Sequence, residues 1–161
     1  MEIERKFLID WKEIDALGLP LVKQAQSWQG YLSAATPVVR IRKRDFSDGH
    51  TDYILCIKGK GKLAREEIEK ELTPQEFSAL EAMLPIPMIH NYRVYRLPDG
   101  HLLECSMVDG KFAYAEVEFA SVEEAKAFEM PAFLHKDVTE DPYYSMSGYW
   151  KRQQITVSFE L

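Results

Sequence analysis

Along much of the chain apolar and polar residues alternate one for one, and a period of two puts the two kinds on opposite faces of a β-strand. Runs of this kind, rich in β-branched and aromatic residues, fall near 1–9, 24–33, 37–45, 51–58, 64–72, 89–97, 101–108 and 112–119. Turn residues separate several of them, at Asp48-Gly49, Gly59-Lys60-Gly61, Pro98-Asp99-Gly100 and Asp109-Gly110, at hairpin spacing. Hairpins join antiparallel strands, and eight strands suffice to close a barrel. In three places the period lengthens to that of a helix. Thr73-Pro74-Gln75-Glu76 combines an N-cap, a first-turn proline and a capping-box acid, followed by a Phe77, Leu80 and Leu84 stripe that stops at Pro85. Ser121-Val122-Glu123-Glu124 and Asp10-Trp11-Lys12-Glu13 open shorter helices, the second ending at Gly18. The pattern predicts a mainly β chain with flanking helices (α+β), built on an eight-stranded antiparallel barrel.

The polar positions of these strands are unusual in being charged and sorted by sign. Strand one sets Glu2, Glu4 and Lys6 against Ile3 and Phe7; strand three sets Arg40 and Arg42 against Val39 and Ile41. Strand five carries Arg65, Glu67, Glu69 and Glu71, and strand eight carries Glu116 and Glu118 opposite Val117 and Phe119. A solvated face would favour mixed Lys and Glu across strands, whereas here arginines gather on one strand and Glu-x-Glu pairs on three others. Arginine forks suit phosphate oxygens, and Lys58 at the end of strand four adds a point charge. Paired carboxylates offer the all-oxygen shell that Mg²⁺ or Mn²⁺ prefers. Both sets inside one barrel need a common partner, and a polyanion with a divalent metal is one. The chemistry this fits is metal-assisted attack of water on a condensed phosphate.

With 161 residues, 46% of them apolar, the chain is long enough for one domain over 1–161 with a sizeable core. Cys56 and Cys105 stand far apart, and neither they nor the four histidines show metal-ligand spacing, which argues against a disulfide scaffold or a zinc site. No long apolar run suggests a membrane span or signal peptide, so a cytoplasmic location is expected. The formal charge of −6 speaks against nucleic acid or an anionic membrane as partner.

Glu2-Ile3-Glu4-Arg5-Lys6 resembles the Glu-x-Glu-x-Lys signature of the CYTH superfamily of triphosphate tunnel metalloenzymes. The likeness continues through Gln29-Gly-Tyr-Leu32, Arg40-Ile-Arg42, Ile57-Lys58-Gly59, Arg65-Glu-Glu-Ile-Glu69, Arg93, Glu104, Ala115-Glu-Val-Glu-Phe119 and Asp137-Val-Thr-Glu-Asp-Pro-Tyr143, nearly the whole chain. It is nearest to the short bacterial members that hydrolyse inorganic triphosphate. The resemblance implies an eight-stranded tunnel open at both ends, with helices outside. It implies that Arg40, Arg42, Lys58 and Arg93, with Lys6 and more weakly Arg65, bind phosphates. Glu2, Glu4, Glu67, Glu69, Glu104, Glu116 and Glu118 would form the acidic wall, some of them on Mg²⁺ or Mn²⁺. Tyr31 and Lys6 would activate water.

The chain departs from that pattern at Asn91-Tyr92-Arg93, Glu104-Cys105-Ser106 and Tyr144-Ser145-Met146, where those members usually carry Lys-x-Arg, Glu-x-Asp and Tyr-x-Asn. One cation and one carboxylate are missing together. The implied substrate is inorganic triphosphate or a nucleoside or thiamine triphosphate. The alternatives are a polyphosphate- or nucleotide-binding module and, less favoured, an adenylate cyclase, whose His-Phe pair this chain does not place ahead of the signature. Tyr143, Tyr144, Tyr149 and Trp150 suggest a terminal plug, an interface or packing on the barrel rim, and a homodimer is left open.

Overall fold

The computed structural model describes residues 1–84 and 87–160, with side chains to Gln154. Strands β1 (Glu2–Leu8), β2 (Leu21–Ser33), β3 (Val38–Phe46) and β4 (Thr51–Lys58) are followed by β5 (Ala64–Arg65) and β6 (Glu67–Glu71). Then come β7 (Met88–Arg96), β8 (Leu102–Val108), β9 (Phe112–Glu118) and β10 (Lys136–Asp137). All eight expected strands are present, the fifth broken at Glu66 into β5 and β6; the short β10 has no counterpart in the sequence pattern.

Neighbours run β10-β1-β9-β8-β7-β2-β3-β4-β6, every pair antiparallel. The sheet returns on itself where β5 pairs with β1 through Glu2–Arg65 and Ile3–Ala64, making a nearly closed barrel with a two-residue seam. The seam hangs from the 59–61 turn. Gly61 has φ +115, and a Cβ there would lie 2.2 Å from Ala64 O, so only glycine fits.

Three helices begin as their caps predict. Asp10 accepts from Glu13 N at 3.0 Å to start α1 (Trp11–Ala16), which stops at Gly18 with φ +65. Both halves of the Thr73/Glu76 capping box are made at α2 (Pro74–Glu81); Pro85, expected to end its stripe, lies outside the described residues. Ser121 caps α3 (Val122–Ala127), but Glu124 reaches Ala120 N and His101 instead of closing a box. A fourth helix, α4 (Met146–Glu160), is absent from the sequence reading. Among the described residues no helix is long and apolar enough to cross a membrane.

The largest core lies outside the barrel wall. Odd-numbered Phe7, Cys105, Ala115 and Val117 pack there against Ile14 of α1 and Ala125 of α3. Alternation then forces the even-numbered charges of the same strands inward. Apolar clusters bound the charged interior at both ends. Ala25, Phe46, Tyr92 and Val94 fill one. At the other, Met146, Tyr149 and Trp150 of α4 pack on Tyr31, Met88, Val108 and Tyr114. Trp150 crosses the rim at Gly30, where a Cβ would meet Leu84 at 2.6 Å and the indole at 3.2 Å. The implied opening at that end therefore narrows to a mouth beside α4, between residues 34–36, 59–62 and 145–148.

Candidate active site

The barrel interior holds two cavities. One, about 530 Å³, runs in from the mouth past Lys6, Tyr31 and Arg65. The other, about 230 Å³, is lined by Glu2, Arg42, Arg44, Glu67, Glu69, Glu104 and Glu118 among others. They meet at Glu4, Arg40, Lys58, Tyr114 and Glu116, which line both. The register explains the gathering: Lys58 lies opposite Glu67, Lys6 opposite Glu116 and Glu104 opposite Glu116 on neighbouring strands, all facing in.

The acidic wall is organised into pairs. Lys58 Nζ lies 3.0 Å from Glu2 and 3.4 Å from Glu67, and Arg65 Nε is 3.5 Å from Glu2. Burial and the hydrogen bond with Glu2 push Glu67 up to about 7. Burial acts on Glu2 as well, but Glu67 and Lys58 hold it down at about 2. Deeper in, burial and the adjacent Glu116 lift Glu4 well above the usual carboxylate range. Glu116 resists the same burial, because Glu4, Lys6 and Lys58 stabilise its anion at about 2. Each pair is thus a carboxylic acid donating to a carboxylate.

Oxygen-rich pairs of this kind fit a divalent cation, which replaces the shared protons as counter-charge. Cys56 Sγ with Glu67 and Glu69 oxygens also forms a group compact enough to hold an ion. Burial raises the Cys56 thiol, however, which leaves the Glu67 and Glu69 oxygens as the donors of this group suited to a hard metal.

Opposite these acids stand Arg40, Arg42 and Arg44, stacked at period two on β3. The buried Nε of each lacks a partner among the described residues. Burial, then Arg40 and Arg44, pushes Arg42 down to about 9. Clustered guanidinium groups with idle donors are complementary to an anion rather than to this protein.

Lys6 and Tyr31 both line the first cavity, but no hydrogen bond joins them among the described residues. Lys6 Nζ donates to Tyr144 O at 2.8 Å and sits 4.1 Å from the Tyr114 ring centroid. Burial lowers the Lys6 ammonium and raises the Tyr31 phenol.

Arg93 is the one expected cation that the structure does not bring to the tunnel. It points outward from β7, 3.2 Å from Asp15 and over the Trp11 ring at 5.0 Å. Asn91 shares that outward parity, so the inward residues of this strand are His90 and Tyr92. Ser106 does face in. Arg44, His90 and Tyr114 were missed, although the first continues the Arg40-x-Arg42 alternation and the last precedes Glu116 by two.

No family model matches the chain. An inorganic triphosphatase of Nitrosomonas europaea is 32% identical over 148 residues, spanning 89% of this chain and 92% of that relative. The crystal structure of the inorganic triphosphatase NE1496 aligns at a TM-score of 0.60 and 27% identity, over 92% of this chain and 93% of that one. PH1819 from Pyrococcus horikoshii OT3 shares the fold, at a TM-score of 0.61 and 19% identity over 78% and 82%.

Proposed function

The chain belongs to the CYTH superfamily, beside the short bacterial triphosphatases, and we propose that it hydrolyses inorganic triphosphate with Mg²⁺ or Mn²⁺. The observation that carries this reading is the facing of idle buried arginine donors against proton-sharing carboxyl pairs within one tunnel.

Arg40, Arg42, Arg44 and Lys58 take the phosphate oxygens and fix the chain along β3. Glu2, Glu4, Glu67, Glu69 and Glu116 hold the divalent cation, with Glu104 and Glu118 completing the acidic lining. When bound, that cation would neutralise phosphate charge and lower the pKa of a coordinated water. Water attacks the terminal phosphorus, the bridging P–O bond breaks, and pyrophosphate leaves. Lys6, which lies opposite Glu116 in the first cavity with its ammonium lowered by burial, is the group suited to pass the proton of that water. Tyr31, held as the phenol, donates a hydrogen bond rather than accepting the proton. Arg65 neutralises Glu2 at the seam.

The test is phosphate release from inorganic triphosphate, thiamine triphosphate and ATP, each with Mg²⁺, with Mn²⁺ and in excess chelator. Release from the inorganic substrate, dependent on metal and faster than from either organic one, is expected. Equal rates in chelator, or none with any metal, overturn the reading.

A further inference from the structure

The second cavity has a neutral wall that the charge pattern leaves unexplained. Ser27, Gln29 and His90 project into it from the paired strands β2 and β7, and Ser27 and His90 are each only 1% exposed. Gln29 Nε2 lies 2.9 Å from His90 Nδ1. With the amide donating, Nδ1 is the acceptor and the ring proton sits on Nε2. Among the described residues that Nε2 has no partner, and neither has Ser27 Oγ. Two buried polar groups idle side by side are costly in a finished core, and they make sense where a ligand completes them.

Their surroundings say what kind of ligand. Ser27 is opposite Arg44 on β3, and Gln29 is opposite Arg42, so the idle donors border the arginine ladder. Tyr92 covers the far side, its ring 3.9 Å from the Arg44 guanidinium and its hydroxyl donating to Glu104 at 2.5 Å. A cation here would add to the repulsion among the arginines. Neutral donors add hydrogen bonds without it.

We infer that His90 Nε2–H and Ser27 Oγ–H form an anion subsite beside Arg42 and Arg44, which holds the phosphoryl group of triphosphate lying furthest from the mouth. Gln29 is a positioning residue that fixes the imidazole tautomer. Burial, with Arg40, Lys6 and Arg44 nearby, pushes His90 down to about 3, so the ring stays neutral throughout the working range. The inference rests on the triphosphate reading above but assigns residues which that reading does not need.

Calorimetric titration of inorganic triphosphate into chelator-treated protein at pH 7.5 tests it without turnover. The parent binds; His90→Leu binds about tenfold more weakly, and His90→Gln, which keeps a neutral donor, stays within about threefold of the parent. Ser27→Ala loses about fivefold. In parallel, the ¹⁵N-histidine spectrum of the parent shows Nε2 protonated and moving on triphosphate addition. Undiminished binding by folded His90→Leu overturns the subsite and leaves the triphosphatase reading intact; a parent that binds no triphosphate in chelator overturns the subsite, and only a parent that also binds none with Mg²⁺ added overturns both. If His90→Leu does not fold, Ser27→Ala and the spectrum decide: unchanged affinity with an unmoved Nε2 signal refutes the inference.

Discussion

Glu4 of β1 and Glu116 of β9 share one proton inside the barrel, Glu4 held as the acid by burial and by its neighbour, Glu116 as the anion by Glu4 and the two lysines. Glu2 and Glu67 repeat the arrangement nearer the seam. A divalent cation on these carboxylates displaces the shared protons, so metal uptake should release protons and weaken as pH falls through the value of about 7 at Glu67. Titrating Mn²⁺ in two buffers of different ionisation enthalpy measures the release directly. Identical apparent enthalpies, or affinity unchanged between pH 6 and 8, would show that the pairs are not the ligands.

Arg42 is 9% exposed and flanked by two like charges. Replacing it with methionine removes an uncompensated buried charge at similar volume, which should leave the metal-free protein as stable or raise stability by about 1–4 kcal/mol. The same change removes a phosphate contact, and triphosphate KM should rise tenfold or more. Thermal melts beside steady-state kinetics check both halves. A lowered Tm with unchanged KM would make Arg42 a structural residue.

How far the sequence revealed the site follows from one rule and its limit. Alternation on strands with one dry outer face assigns Glu2, Glu4, Lys6, Arg40, Arg42, Glu116 and Glu118 inward without further information, because Phe7, Ile41 and Val117 claim the other side. On β7 the rule needs its register, and Tyr92 and Tyr95 are both buried, on opposite faces, so parity there is ambiguous until pairing with β2 is known. The resemblance set Arg93 in the tunnel and Asn91 in the place of a lysine there, and without the register nothing in the sequence pointed to His90 instead. The cap α4 was hidden for a different reason: Gly148 interrupts it and its aromatic residues follow no clean helical stripe, since they pack on a rim rather than a flat sheet. Its role depends on contacts distant in sequence, which local pattern does not carry.

Arg93 supplies a direct test of the corrected parity. Its guanidinium lies over Trp11 and beside Asp15, joining α1 to the outside of β7. Arg93→Ala should leave triphosphate KM within twofold of the parent, while costing about 1 kcal/mol or less of stability through lost packing and an exposed ion pair. A KM raised tenfold by this change would return Arg93 to the tunnel.

His101 ties the β7–β8 turn to α3, with Nδ1 2.8 Å from Asp99 and Nε2 2.7 Å from Glu124, and its ring edge-on to Phe119 and Phe128. The hydrogen bond to Asp99 raises its pKa; partial burial opposes this, and Glu124 adds to the rise. A histidine raised above its ordinary value of 6.5 binds its proton more tightly folded than unfolded. Its contribution is therefore complete below that value and is lost as pH climbs through the raised one. Between pH 6 and 8.5 the parent should lose Tm steadily. Glu67, also raised, contributes a fall of the same sign, so the informative quantity is the difference from His101→Gln, which keeps one hydrogen bond but cannot titrate. The gap between the two proteins should be largest at pH 6 and shrink toward pH 8.5. Glu124→Gln should flatten the parent's slope only in part, because Asp99 remains. Parallel melting curves for parent and His101→Gln across the range would mean that the imidazole stays neutral and the clamp is held by packing on the two phenylalanines alone.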